Sequence, residues 1–90
     1  MNPPMIKVYG TRFCGDCNRT VNFLRAHNIS FHWIDIDQDE AAEQFVLQVN
    51  QGYRSVPTIQ FQDGSILVEP TSNELARKLE VKNINQARGV

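Results

Sequence analysis

The chain has almost no charge of either sign to spare: nine Lys and Arg face ten Asp and Glu over 90 residues, a formal net charge of −1. That balance removes the electrostatic footprint of a nucleic-acid or acidic-membrane binder. No run of roughly 18 apolar residues occurs, so the sequence carries no candidate spanning helix. The opening stretch MNPPMIKVYG lacks the charged and then long apolar regions of a secretory signal, and the chain reads as cytoplasmic. Internal repeats, low-complexity tracts and Ser/Gly linkers are also missing. The expectation is one domain over 1–90, with a core over about 5–80 and a loosely packed tail over 81–90. A chain this short buries roughly 60–65% of its unfolded surface, too little for a deep enclosed cavity, so its chemistry belongs near the surface.

Cysteine is equally scarce. There are two, Cys14 and Cys17, with two residues between them. A bridge across so short a loop stabilises little, so this spacing suits reversible redox chemistry or metal binding rather than stapling. A zinc site would need two further ligands, and the candidates His27 and His32 fall at the end of a helix and inside a strand. No metal is expected.

What is present reads as alternating elements. Met5–Tyr9 is a β-prone run punctuated by Gly10 and Thr11. Gly15 to about His27 has helical spacing, closed by Asn28 in the left-handed position. Phe31–Ile36 carries Phe31 and Trp33 on one face and Ile34 and Ile36 on the other, the pattern of a strand buried on both faces. Asp37 and Asp39 cap a helix whose apolar Ala42, Phe45, Val46 and Val49 recur at i, i+3, i+4 and i+7, with Gly52 beyond its end. Val56, Pro57 and Thr58 lead into Ile59 and Phe61, and Asp63-Gly64 signals a tight hairpin back to Ile66–Val68. Thr71, three residues before Glu74, forms a capping box for a last helix that ends near Glu80.

The order is β-α-β-α-β-β-α, an α/β fold. Strands separated by helices are expected to be parallel and the closing hairpin antiparallel, giving a four-stranded mixed sheet flanked by helices. A CxxC between the first strand and first helix of such a unit is a thioredoxin-like redox signature.

From Met5 to about Glu80 the chain resembles the glutaredoxin family. Cys14-Gly15-Asp16-Cys17, Ser55-Val56-Pro57-Thr58 and Asp63-Gly64 carry the resemblance. Within the family it is most similar to the short bacterial mycoredoxins, which share Val49-Asn50 near the end of the second helix. A thiol attacks a disulfide only as the thiolate, which a helix N-terminus favours. Cys14 is so placed and is the expected nucleophile. Cys17, one turn in and more sheltered, is the expected resolving thiol. Gly15 would let the loop close tightly beside a substrate. Asp16 would oppose the thiolate, and the flanking Arg12 and Arg19 could offset it. The resemblance implies a cis bond before Pro57, with the Val56 backbone turned out to pair with a glutathione-like or peptide substrate. Phe13 belongs to the same expected thiol-binding set.

The sequence departs from glutathione-using glutaredoxins after the fourth strand, where those proteins carry a Gly-Gly pair, a polar residue and Asp. Here the residues are Glu69-Pro70-Thr71-Ser72-Asn73. Thr71 and Ser72 with their backbone N–H groups could receive an anion, or their hydroxyls could serve only the helix cap. Tyr53 and Arg54 precede the proline loop and are placed to border the groove. Five of the ten acids lie between Asp35 and Glu43, most simply a solvated helix start. Trp33 belongs to the core and should report redox state if it lies near the thiols.

The resemblance therefore implies a thiol-disulfide oxidoreductase that is mycoredoxin-like and acts in electron transport and cell redox homeostasis. It implies no tightly bound cofactor, glutathione or mycothiol as co-substrate, and disulfide-containing proteins as partners of a monomer. The alternatives are a thioredoxin-reductase-dependent electron donor to ribonucleotide reductase, an iron–sulfur carrier holding a cluster through Cys14 and a small thiol, and a non-catalytic redox sensor.

Overall fold

Residues 6–81 are described by the computed structural model. Met5, where the first strand was expected to start, and the tail from residue 82 onward lie outside them. Seven elements follow in order: β1 (Lys7–Gly10), α1 (Gly15–Ala26), β2 (His32–Asp35), α2 (Glu40–Val49), β3 (Thr58–Gln60), β4 (Ile66–Val68) and α3 (Ser72–Leu79).

The sheet order is β2-β1-β3-β4. β1 and β2 are parallel, with Val8 opposite Trp33 and Gly10 opposite Asp35. β3 runs antiparallel to β1, with Tyr9 opposite Thr58 and Lys7 opposite Gln60. This corrects the expectation that every helix-separated pair is parallel. The chain leaving α2 passes through residues 50–57 and enters β3 beside the C-terminal end of β1, not its N-terminal end, so the strand direction reverses. β4 pairs antiparallel with β3.

Side-chain alternation along the strands splits the core in two. Val8 and Ile59 pack with Phe23, Leu24, Leu75 and Ala76 of α1 and α3, together with Phe31 and Trp33. Tyr9 and Ile36 pack with Ala42 and Val46 of α2, together with Ile34 and Phe45. The two faces expected for the second strand are thus both covered. Full burial of a side chain such as Leu24 or Ile59 stabilises the fold by roughly 1.5–3 kcal/mol.

The element ends follow local chemistry. Asn28 takes the left-handed conformation, φ 57°, after α1, and the Asp39 carboxylate accepts the Ala42 N–H at 3.0 Å to cap α2. The β3–β4 connection is wider than a two-residue turn. The Gly64 N–H donates to the Phe61 carbonyl, and the Phe61 N–H donates to the Ser65 carbonyl, both at 2.9 Å. Gln62 and Asp63 are therefore the central turn residues, and Gly64, at φ 88°, closes the loop as a bulge that glycine accommodates. Among the described residues no helix is long and apolar enough to cross a membrane.

Candidate active site

β1 ends at Gly10 and three loop residues carry the chain to Cys14, which is the N-cap of α1 with φ −106° and ψ 116°. An N-cap side chain faces the unpaired N–H groups of the first turn, and here the acceptor is sulfur. The Cys17 N–H donates to Cys14 Sγ at 3.1 Å. A donor at that distance and the positive end of the helix both complement a negatively charged sulfur. Cys14 is half-buried, whereas Cys17 is fully buried, and both are free thiols. Burial first, and then the hydrogen bond its thiol gives to Cys14, push the Cys17 thiol up to about 12, against a bond accepted from the Thr11 backbone. One thiol is thus reachable, and the other is sheltered and protonated beside it.

Gly10 makes this packing possible. A Cβ at Gly10 would lie 2.7 Å from Cys17 Sγ and 2.7 Å from the end of the Trp33 ring. Only hydrogen at this position leaves room for both.

The second half of the site comes from the α2–β3 connection. The Val56–Pro57 bond is cis. Cys14 Sγ lies 3.9 Å from the Val56 carbonyl, a long S–H···O contact across 42 residues. The Val56 N–H has no hydrogen-bond partner among the described residues, so one backbone donor beside Cys14 is open. The loop is held from both ends. Asn50 Nδ2 donates to the Val46 carbonyl at 2.8 Å and to Thr58 Oγ1 at 3.1 Å. The buried Thr58 hydroxyl donates to the Ser55 carbonyl at 2.7 Å. The Glu69 N–H donates to the Pro57 carbonyl at 2.8 Å. Glu69 itself sits at φ 49°, in the left-handed region that favours glycine.

The remaining sequence candidates take separate positions, several with partners of their own. Asp16 is held by Arg19 at 2.9 Å, and Arg19 also donates to the Pro70 carbonyl at 3.2 Å. Arg19, and not Arg12, is therefore the cation that answers Asp16. Arg12 is exposed and lines, with Arg25, a groove on the flank of α1. Phe13 is 96% exposed immediately before Cys14. A Cβ at Gly15 would meet nothing within 4 Å, so the fold alone does not require glycine there.

Thr71 and Ser72 open α3. The Thr71 hydroxyl accepts the Glu74 N–H at 3.1 Å, and the Glu74 carboxylate accepts the Thr71 N–H at 2.7 Å. The capping box is complete, so the Thr71 hydroxyl and the Thr71 N–H are both engaged by Glu74. Arg54 is likewise engaged, with Glu43 at 2.6 Å and with Asp37, while Tyr53 is exposed.

Three positioning residues had weaker signals in the sequence. Asn50 stood out only as a shared family feature, and Gly10 only as punctuation after a strand. Glu69 stood out only as part of the departure from the family's Gly-Gly pair, since nothing local to a Glu-Pro pair announces a left-handed backbone.

The glutaredoxin family model matches residues 6–66. A Mycobacterium tuberculosis protein assigned to the glutaredoxins is 42% identical over 74 residues, 82% of this chain and 88% of that protein. Mycoredoxin 1 of Corynebacterium glutamicum is 35% identical over 75 residues, 83% of this chain and 92% of that protein. Among solved structures, a point mutant of the thioredoxin-like protein BC3987 superposes with a TM-score of 0.77 at 26% identity, covering 87% of this chain and 97% of its own. With a reachable thiol at a helix cap, a buried partner thiol one turn on and a cis-proline loop against them, the chain belongs to the glutaredoxin family of thiol-disulfide oxidoreductases.

Proposed function

We propose that this oxidoreductase reduces mixed disulfides between proteins and a low-molecular-weight thiol that lacks free carboxylates, with mycothiol the fitting co-substrate and glutathione a poor one. The observation that carries the reading is the placement of Cys14 Sγ, 3.1 Å from the Cys17 N–H and 3.9 Å from the Val56 carbonyl. The Cys14 thiolate attacks the small-thiol sulfur of the mixed disulfide, a new S–S bond forms, and the protein thiolate leaves. A second small-thiol thiolate attacks the small-thiol sulfur now on Cys14 and releases Cys14 as thiolate, with the small-thiol disulfide as product. On a protein disulfide, the Cys14 thiolate attacks one protein sulfur and the other leaves as thiolate; Cys17, its proton passing to the departing sulfur, then attacks Cys14, the second protein thiol leaves, and the Cys14–Cys17 disulfide remains. Family members work with glutathione-like thiols. In this chain two groups that could hold carboxylates beside the site are answered internally, Arg54 by Asp37 and Glu43 and the Thr71 N–H by Glu74. A sugar-linked thiol needs no such anchors.

Val56 and Pro57 would pair with the substrate backbone, the exposed Phe13 would border it, and Gly15 and Asp16 would line its near side. Thr71 contributes through the α3 cap rather than as an anion ligand, Ser72 follows it as the first residue of α3, and Arg12 stands on the flank of α1. The protein acts in the cytoplasm as a monomer and as a single domain, on disulfide-containing proteins.

The test is turnover of one mixed-disulfide substrate in coupled assays regenerated by mycothiol, glutathione or thioredoxin reductase, with wild type and Cys17→Ser. Mycothiol-driven turnover that survives in Cys17→Ser supports the single-thiol route. Turnover only with thioredoxin reductase, abolished in Cys17→Ser, would replace it with a dithiol electron donor.

A further inference from the structure

A groove of about 340 Å³ lies between α1 and β2, lined by Arg12, Asn18, Val21, Arg25, Phe31 and Trp33, with Thr11 at its edge. Its floor is apolar and aromatic, and its two cations stand on α1 and on the loop before it. Arg19 and Arg54 each hold a carboxylate, whereas Arg12 and Arg25 form no ion pair among the described residues. The groove ends near the thiols, since the Trp33 ring and Cys17 Sγ both lie 2.7 Å from where a Gly10 Cβ would sit.

β2 is the terminal strand of the sheet. The His32 and Ile36 amides bond inward to the carbonyls of Ile6 and Gly10 at 2.8 and 3.0 Å. In a parallel ladder successive residues alternate, so the amides of Trp33 and Asp35 face the outer edge, which no strand covers among the described residues. Phe31, Trp33 and Asp35 share the α1 side of that strand. Asp35 does not line the groove, and its carboxylate accepts the Asp37 N–H at 2.9 Å.

We propose that the α1–β2 groove and the free edge of β2 together dock an extended acidic segment of a partner protein. Its backbone adds as a strand beside Trp33 and Asp35, and its carboxylates meet Arg12 and Arg25 over the aromatic floor. Unpaired strand-edge donors supply backbone pairing without sequence preference. The two arginines select acidic side chains, and Asp35 excludes an acid from the last position of the register. The segment needs no cysteine, because the groove lies beside the resolving thiol and not at Cys14.

Two cysteine-free peptides test this, Ac-Val-Glu-Val-Glu-Val-NH2 and its Lys analogue, which share strand propensity and differ in charge. Binding to the reduced protein is followed by the fluorescence of Trp33, the sole tryptophan, and by amide hydrogen exchange. The acidic peptide should bind roughly three- to tenfold more tightly at low salt, with the preference shrinking as salt rises. It should slow exchange at Trp33 and Asp35. In Arg25→Glu the preference should vanish or reverse, while turnover of a small mixed disulfide stays at the wild-type value. Equal binding of the two peptides, protection at Val56–Thr58 in place of Trp33 and Asp35, or loss of small-disulfide turnover in Arg25→Glu would overturn the proposal.

Discussion

The Trp33 ring and the Cys17 sulfur converge on the same point above Gly10, each 2.7 Å from the position of a Gly10 Cβ. Two groups that close to one point are near enough to each other for the indole to sense whether the sulfur is a thiol or part of a disulfide. Oxidation of the Cys14–Cys17 pair should therefore change Trp33 emission, and Cys17→Ala should abolish the change while leaving the folded spectrum. Stopped-flow fluorescence during oxidation by a small disulfide checks this, and an unchanged emission would separate the ring from the thiol.

Gly10→Ala places a methyl group into that same space. Neither neighbour is the loose end of an exposed chain, so the cost should be that of overpacking, about 1–3 kcal/mol, read as a lower denaturant midpoint. The Trp33 response to oxidation should change with it.

Cys17 gives the protein an alkaline sensitivity. Its thiol ordinarily titrates near 9.0 and in the fold is pushed up to about 12, chiefly by burial. The folded chain therefore holds this proton more tightly than the unfolded chain. The associated stability is fully present below pH 9, declines above it, and is gone once the pH passes about 12. Denaturant titrations of the reduced protein between about pH 8 and 11 should show this loss, and Cys17→Ala should flatten it. At neutral pH iodoacetamide should label Cys14 and spare Cys17 until the protein is unfolded.

Asn50 ties the end of α2 to the cis-proline loop through Val46 and Thr58. Asn50→Ala removes both bonds and should cost about 1–2 kcal/mol of stability. Because the loop carries Val56 to Cys14, KM for the mixed disulfide should rise more than kcat falls. Asn50→Asp, which keeps the shape but loses the donor, should resemble the alanine variant.

Arg54 should be released by Asp37→Asn combined with Glu43→Gln. Exposed ion pairs contribute about 0–1 kcal/mol each, so the midpoint of unfolding should barely move. A freed guanidinium beside the cis-proline loop can bind a carboxylate bidentately, and KM for glutathione should fall several-fold at low salt. Mycothiol kinetics should not change.

Much of this molecule was legible from local sequence. The CxxC at a helix start, the Asp39 and Thr71 caps and the two-faced strand around Trp33 depend on neighbours within one turn or one pleat, and each appears where periodicity placed it. The direction of β3 was not legible, because it depends on the path of residues 50–57 through space. The hairpin was placed correctly but its turn was not, since Asp63-Gly64 fits a two-residue turn as well as a bulged one. The pairing of Arg54 with residues 37 and 43, and the meeting of residues 10, 17 and 33, join positions that only tertiary packing brings together.

The reversal of β3 also determines when the molecule becomes an enzyme. Cys14 follows the C-terminal end of β1 and Val56 precedes the N-terminal end of β3, and the antiparallel pairing of Tyr9 with Thr58 brings those two ends side by side. An unfolded chain already carries both thiols within a few residues of each other, but Val56 reaches Cys14, and is held against it, only when these central strands pair. Turnover of a bound mixed disulfide, unlike simple thiol oxidation, counts only chains whose central strands are paired.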